Sequence, residues 1–160
     1  MKEIPFDNFI NNISEAETPF AVKIDNMLLQ GNCLREIKEG ASGYSVTYKS
    51  SSTKKTVAAF VCRKTGLKIR ITPPKPFSCD DLCADLPDNM KKDMKRGNDC
   101  KRLSDASVCN QRCLMGYTFT IDDKLYQKCR SMAFLFSVTE ENMPYITKFI
   151  QKGLGIETSV

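Results

Sequence analysis

Hydrophobic positions near the start of the chain recur at helical spacing. Phe6, Phe9, Ile10 and Ile13 fall at i, i+3, i+4 and i+7, with Pro5 suited to a first turn. This stripe predicts a short amphipathic helix within residues 5–15. A second helix is expected to open with Thr18 as N-cap and Pro19 at N1, to carry Phe20, Ile24 and Leu28 on one face, and to stop at Gly31. In residues 33–38, Leu34 and Ile37 fit either a helix or a short edge strand, and we read a strand. Residues 44–49, 56–63 and 67–72 are rich in β-branched and aromatic side chains and are separated by turn-forming stretches, which predicts an antiparallel meander. Its middle member is apolar on both parities, as a strand buried on both faces would be.

Pro73, Pro74 and Pro76 end that pattern. Ser78 as N-cap with Asp81 at N3 then predicts a short helix bearing Cys79 and Cys83 one turn apart. Leu86, Met90 and Met94 repeat at i, i+4, i+8 up to Gly97, a third helical segment. Residues 98–116 form a cysteine-bearing connection. Strands are expected at 117–121 and across 125–138, joined by a turn at Asp122-Asp123. Thr139 is expected to cap a last helix with Ile146, Phe149, Ile150 and Leu154 on one stripe. Strands come in two runs rather than alternating with helices. The expected class is therefore α+β: a single domain over residues 1–160, with one antiparallel sheet of about five or six strands flanked by helices.

With 160 residues, 41% of them hydrophobic, the chain can build a core without covalent staples. The first residues lack the cationic start, apolar run and small-residue cleavage site of a secretory signal, and no apolar run approaches the roughly 20 residues that span a bilayer. A cytoplasmic protein without a transmembrane segment is expected, and in that compartment the eight cysteines would be thiols or ligands rather than disulfides. The net charge of +5 permits polyanionic partners without requiring them. The chain has no His, which removes Ser-His and Cys-His nucleophile pairs and every imidazole-containing zinc site.

Four cysteines carry the main chemical signal. Cys100, Cys109, Cys113 and Cys129 have the spacing Cys-x8-Cys-x3-Cys-x15-Cys within residues 98–130. Four thiolates complete a tetrahedral zinc shell, and a closed shell is structural rather than catalytic. Cys109 and Cys113, one helical turn apart, would face the same side, with Ser107 placed to cap that turn. Lys101, Arg102, Arg112, Lys128 and Arg130 flank these positions and would offset the negative charge of a zinc–tetrathiolate site. Inert buried thiols, disulfides and an iron–sulfur cluster are the competing fates. Cys33, Cys62, Cys79 and Cys83 could form a second site, but core packing suits them better, since Asp80, Asp81 and Asp85 crowd the helical pair with negative charge.

Lys91, Lys92, Lys95 and Arg96, continuing to Lys101 and Arg102, make the densest basic stretch, and Lys54, Lys55, Lys68 and Arg70 could form another. A solvated face, with Lys95 and Arg96 complementing the C-terminal dipole of a helix, explains them better than phosphate contacts. Tyr44 and Tyr48 share a strand face that could stack a flat ligand or pack in the core. No residue set amounts to a catalytic constellation.

GYSVTYK at 43–49, RKTGLKIRI at 63–71, DCKRL at 99–103, CNQRCLMGYTFTID at 109–122 and YQKCR at 126–130 together resemble a group of small bacterial proteins of unknown function with the same four-cysteine pattern. The resemblance implies a recurring metal-binding unit and no activity. The leading expectation is a non-enzymatic, zinc-stabilised binding or regulatory domain with a protein or nucleic-acid partner. A cytosolic thiol redox or metal sensor is the second reading, and a small enzyme with a site invisible in sequence the third.

Overall fold

In the computed structural model of the chain, residues 4–41, 43–73, 80–100 and 116–154 are described. The meander is present: β1 (Cys33–Gly40), β2 (Gly43–Ser50), β3 (Thr56–Arg63) and β4 (Gly66–Ile71) pair antiparallel in sequence order, and β7 (Leu135–Ser137) joins β4. Alternation fixes which face is buried. Ile37, Val46, Phe60, Ile69 and Phe136 stand opposite one another across all five strands. The last four are fully buried. A one-residue slip of any strand would turn its row to the other face.

Helices cover this row. They are α1 (Phe6–Ile10), α2 (Thr18–Gln30) and α5 (Met143–Gly153), with α3 (Asp80–Ala84) and α4 (Asp88–Arg96) before the cysteine segment. Phe9 of α1 packs on Phe60, and Phe149 of α5 packs on Phe136, with ring centroids 5.1 and 5.3 Å apart. The α+β class therefore holds, and residues 33–38 are a strand as read.

Several boundaries move for identifiable reasons. The first helix ends at Ile10, and Asn12 then lies over Gly43, where a Cβ would come within 2.6 Å of its Nδ2 and where φ is +121°. Glu17, not Thr18, is the N-cap of α2. Ser14 and Glu17 bond reciprocally as a capping box placed one turn earlier, and the second Glu17 carboxylate oxygen accepts the Leu67 N–H at 2.7 Å. The last helix begins at Met143 with Asn142 as N-cap, while Thr139 Oγ1 accepts the Asn142 N–H from the preceding turn. Ser78 and Cys79 lie outside the described residues.

The larger correction concerns the sheet. Strands β5 (Tyr117–Ile121) and β6 (Lys124–Lys128) do not extend the meander but form a separate two-stranded ribbon. Asp122 and Asp123 join them with φ of 51° and 66°, the left-handed pair that matches hairpin twist. Tyr117, Phe119 and Ile121 face inward, and Phe119 and Tyr117 pack on Phe134. The stretch 125–138 read as one strand is broken at Cys129, whose carbonyl accepts the N–H groups of both Met132 and Ala133.

Candidate metal centre

Backbone pairing brings two of the four candidate ligands together. Asp99 bridges antiparallel to Lys128, the Cys100 N–H donates to the Gln127 carbonyl at 2.9 Å, and the Cys129 N–H donates to the Asn98 carbonyl at 2.7 Å. Residues 98–100 thus add a short third run to the ribbon beside β6. In this register Cys100 stands opposite Gln127 and Cys129 opposite Asn98, so the two cysteines share one face as diagonal neighbours. Such positions are roughly 7 Å apart at Cβ, too wide for a disulfide, which needs about 3.8 Å. Both thiols are free.

Gly116 closes the approach. Its N–H donates to Cys100 Sγ at 3.2 Å, and a Cβ there would fall 1.9 Å from the Lys128 carbonyl oxygen and 2.9 Å from Cys100 Cβ. Only glycine lets the incoming chain lie this close. An N–H aimed at the sulfur is the type of outer contact that orients a thiolate ligand. Cys129 Sγ lies 3.4 Å from Ser131 Oγ.

The charge expected to offset the sulfurs is partly directed elsewhere. Lys128 alternates to the face opposite Cys129, where its ammonium bonds Asp99 at 2.8 Å and holds that carboxyl below its usual range. The Arg130 guanidinium sits 5.2 Å from the Tyr117 ring centroid. Lys128 is therefore a ribbon cross-link rather than a counter-ion to the site. Cys109, Cys113, Ser107, Lys101, Arg102 and Arg112 lie outside the described residues. Among the described residues no group of three or more Cys, Asp or Glu could hold a metal.

No family model matches this chain, and no curated protein or solved structure matches it either. Its chemistry has to be read from its own side chains.

The other cysteines are dispersed. Cys33 lies at the end of β1 paired with Ser50, whereas the Cys62 thiol reaches the Tyr44 carbonyl near the opposite end of the sheet. Six residues of β2 separate those positions, about 20 Å at strand rise. Burial raises the thiol pKa of Cys33, and burial followed by the Glu17 charge raises that of Cys62. Cys83 is buried in α3. These three behave as packing residues.

Of the basic side chains singled out in the sequence, four are engaged, while Lys54, Lys55 and Lys92 are exposed. Lys91 and Lys95 reach the Asp122 carboxylate at 3.4 and 3.3 Å, Arg96 pairs with Asp93, and Arg70 Nε donates to the Ser131 carbonyl at 2.8 Å.

The polar cluster that sequence reasoning missed is Asp25, Arg35 and Tyr48. Arg35 Nη1 lies 2.7 Å from both Asp25 oxygens, and the Tyr48 hydroxyl donates to Asp25 Oδ1 at 2.6 Å. Tyr48 is fully buried, so it stacks no ligand, and burial followed by the Asp25 hydrogen bond raises its pKa well above the usual value. The Arg35 guanidinium also lies 4.5 Å from the centre of the Phe6 ring. The signal was weak: a lone acid beside Ile24 in an apolar stripe, with its arginine in the next element. The cluster ties α2 to β1 and β2 and has no open space for a substrate at Tyr48.

Two hollows are larger. One of about 610 Å³ is lined by the turn at 50–53, Lys55, Arg130 and Leu154, and the other, about 930 Å³, runs open along the outer side of β1. Arg130 Nη1 is buried without a hydrogen-bond partner among the described residues. The hollow along β1 is lined by Glu36, Lys38 and Glu39, with Glu36 and Lys38 exposed and ion-paired at 3.5 Å, and the only thiol lining either hollow among the described residues, Cys33, has its pKa raised by burial. No described helix is long and apolar enough to cross a membrane.

Proposed function

We propose that the chain is a non-enzymatic binding domain in which Cys100, Cys109, Cys113 and Cys129 hold one structural zinc that clamps residues 98–130 onto the fold. The supporting observation is the pairing of residues 98–100 with β6, which sets Cys100 and Cys129 on one face at a separation that suits a shared ion and not a disulfide. Zinc–sulfur bonds of about 2.3 Å let two diagonal thiolates converge on one tetrahedral centre, leaving two positions for the Cys109 and Cys113 pair. The partner is a protein or a nucleic acid: Lys91 and Lys95 are paired with Asp122 and Tyr48 is buried, which leaves Lys54, Lys55 and Lys92 among the exposed basic groups of the described residues.

The test is elemental analysis of the full chain purified without chelator, with thiol counting in the native state. About one zinc per chain is expected, lost in Cys100→Ser and in Cys129→Ser and kept in Cys62→Ala. Substoichiometric metal with the Cys100 and Cys129 thiols reactive in the native state would sink the reading. Zinc that leaves under mild oxidant, with disulfides forming, would replace it by a redox sensor.

A further inference from the structure

β1 is a long, regular edge strand, and the charges it carries, Arg35, Glu36, Lys38 and Glu39, admit only a strand of matching charge order. It runs eight residues, contains no proline, and its register with β2 is unbroken from Cys33↔Ser50 to Gly40↔Gly43. The opposite edge, β7, has three residues. Long regular edges recruit another strand unless something blunts them. Among the described residues no strand lies beyond β1.

The direction of its free groups follows from the ladder. The Ser51 N–H donates to the Asn32 carbonyl, so the residues bonded to β2 are those of even number. Cys33, Arg35, Ile37 and Glu39 then turn their N–H and C=O groups outward. An added antiparallel strand from a second copy must therefore pair odd residues with odd.

Charge selects one register. With Ile37 on the two-fold axis, Arg35 faces Glu39 of the second copy and Glu36 faces its Lys38, and the reverse pairs follow by symmetry. Leu34, 54% exposed, falls opposite Gly40, where a Cβ would have only the Gly43 carbonyl oxygen within 4 Å, at 3.5 Å. Moving the axis to Arg35, Glu36, Lys38 or Glu39 stacks that residue on its own copy, charge against like charge. Within the chain Glu36 already pairs with Lys38 and Lys49 at 3.5 and 3.2 Å, so these groups lie in the plane of the exchange. The open groove along β1, walled by Phe6 and Leu29, gives the second strand room.

We propose that residues 35–39 of β1 are a self-complementary docking edge for a second copy of this chain, joining two five-stranded sheets into one through about six backbone hydrogen bonds centred on Ile37. The occupant is identified by its charge order, Arg-Glu-Ile-Lys-Glu, which matches its own antiparallel image. This inference is independent of the zinc site.

Sedimentation of the full chain at about 100 µM is expected to give twice 18.1 kDa. The Glu36→Lys change sets a lysine against Lys38 of the second copy, and Lys38→Glu sets a glutamate against its Glu36. Each variant alone should dimerise at least about tenfold more weakly, near 1.4 kcal/mol. An equimolar mixture of the two variants restores opposite charges at every pair and should sediment as a dimer. Because the mixture contains the same two variant chains, its recovery also demonstrates that both are folded. Hydrogen exchange on the wild type gives a variant-free check: the Arg35, Ile37 and Glu39 amides should lose protection on dilution while even-numbered amides keep it. A monomeric wild type, unchanged single variants, no recovery on mixing, or concentration-independent exchange would each overturn the proposal, and capture of a different protein by a monomeric chain would point to a heterologous strand instead.

Discussion

Replacing Asp25 with alanine removes the acceptor on which two other side chains converge. Tyr48 is fully buried and loses the only partner identified for its hydroxyl, while Arg35, 27% exposed at its side chain, can turn toward water. A broken buried pair typically costs about 3–5 kcal/mol, and the partial exposure of Arg35 puts the expectation near 3 kcal/mol. Tyr48→Phe removes one hydrogen bond to a carboxylate that keeps its arginine, so about 1–2 kcal/mol is expected. In the Asp25→Ala background the same change deletes an already orphaned hydroxyl and should cost almost nothing. The double mutant should then fall short of the sum by about 1–2 kcal/mol. Urea unfolding of all four proteins with unchanged m-values measures this. If Tyr48→Phe costs the same in both backgrounds, or Asp25→Ala costs under about 1 kcal/mol, the cluster is not coupled and its assignment as the tie between α2 and the sheet is refuted.

Gly116→Ala should lower stability by about 1–3 kcal/mol in thermal unfolding, since its Cβ meets a backbone carbonyl at 1.9 Å rather than a movable side chain. A neutral result would show that the chain passes Lys128 at a greater distance. Burial pushes the Tyr117 phenol up to about 12 and raises Tyr48 as well. Native groups that hold their protons more tightly than the unfolded chain stabilise the fold fully below about pH 10, and that stabilisation is lost as pH rises through their native values. At about pH 11 phenolate absorbance should therefore step up on adding urea, and Tyr48→Phe should reduce the step.

Periodicity carried most of the fold into view. The meander was readable because Val46, Phe60 and Ile69 mark the buried row of strands punctuated by turn-forming stretches such as residues 64–66. The ribbon's two strands and its turn at Asp122-Asp123 were readable as well, but its separation from the main sheet was not, since residues 129–134 contain no Gly or Pro. Its turn is held from outside by Gly97, where a Cβ would come within 3.0 Å of the Met132 carbonyl oxygen, and by Arg70 on the Ser131 carbonyl. Asp25 was passed over because its partners come from β1 and β2, and no spacing within one helix encodes a contact between elements. For the candidate metal site, sequence spacing named the cysteines, but the face shared by Cys100 and Cys129 follows from a strand register that spacing does not contain. The same alternation that unites them turns Lys128 away, which adjacency in sequence had suggested otherwise.

Strand order places β1 at one rim of the sheet and β7 at the other. Four interstrand steps of about 4.8 Å separate the rims, some 19 Å. Joining two copies along β1 would leave both β7 strands at the far rims of one ten-stranded sheet, about 43 Å apart over nine steps. A partner that met both far rims at once would have to repeat its binding feature at that span. Affinity for such a partner would depend on its symmetry as much as on the contacts at either rim.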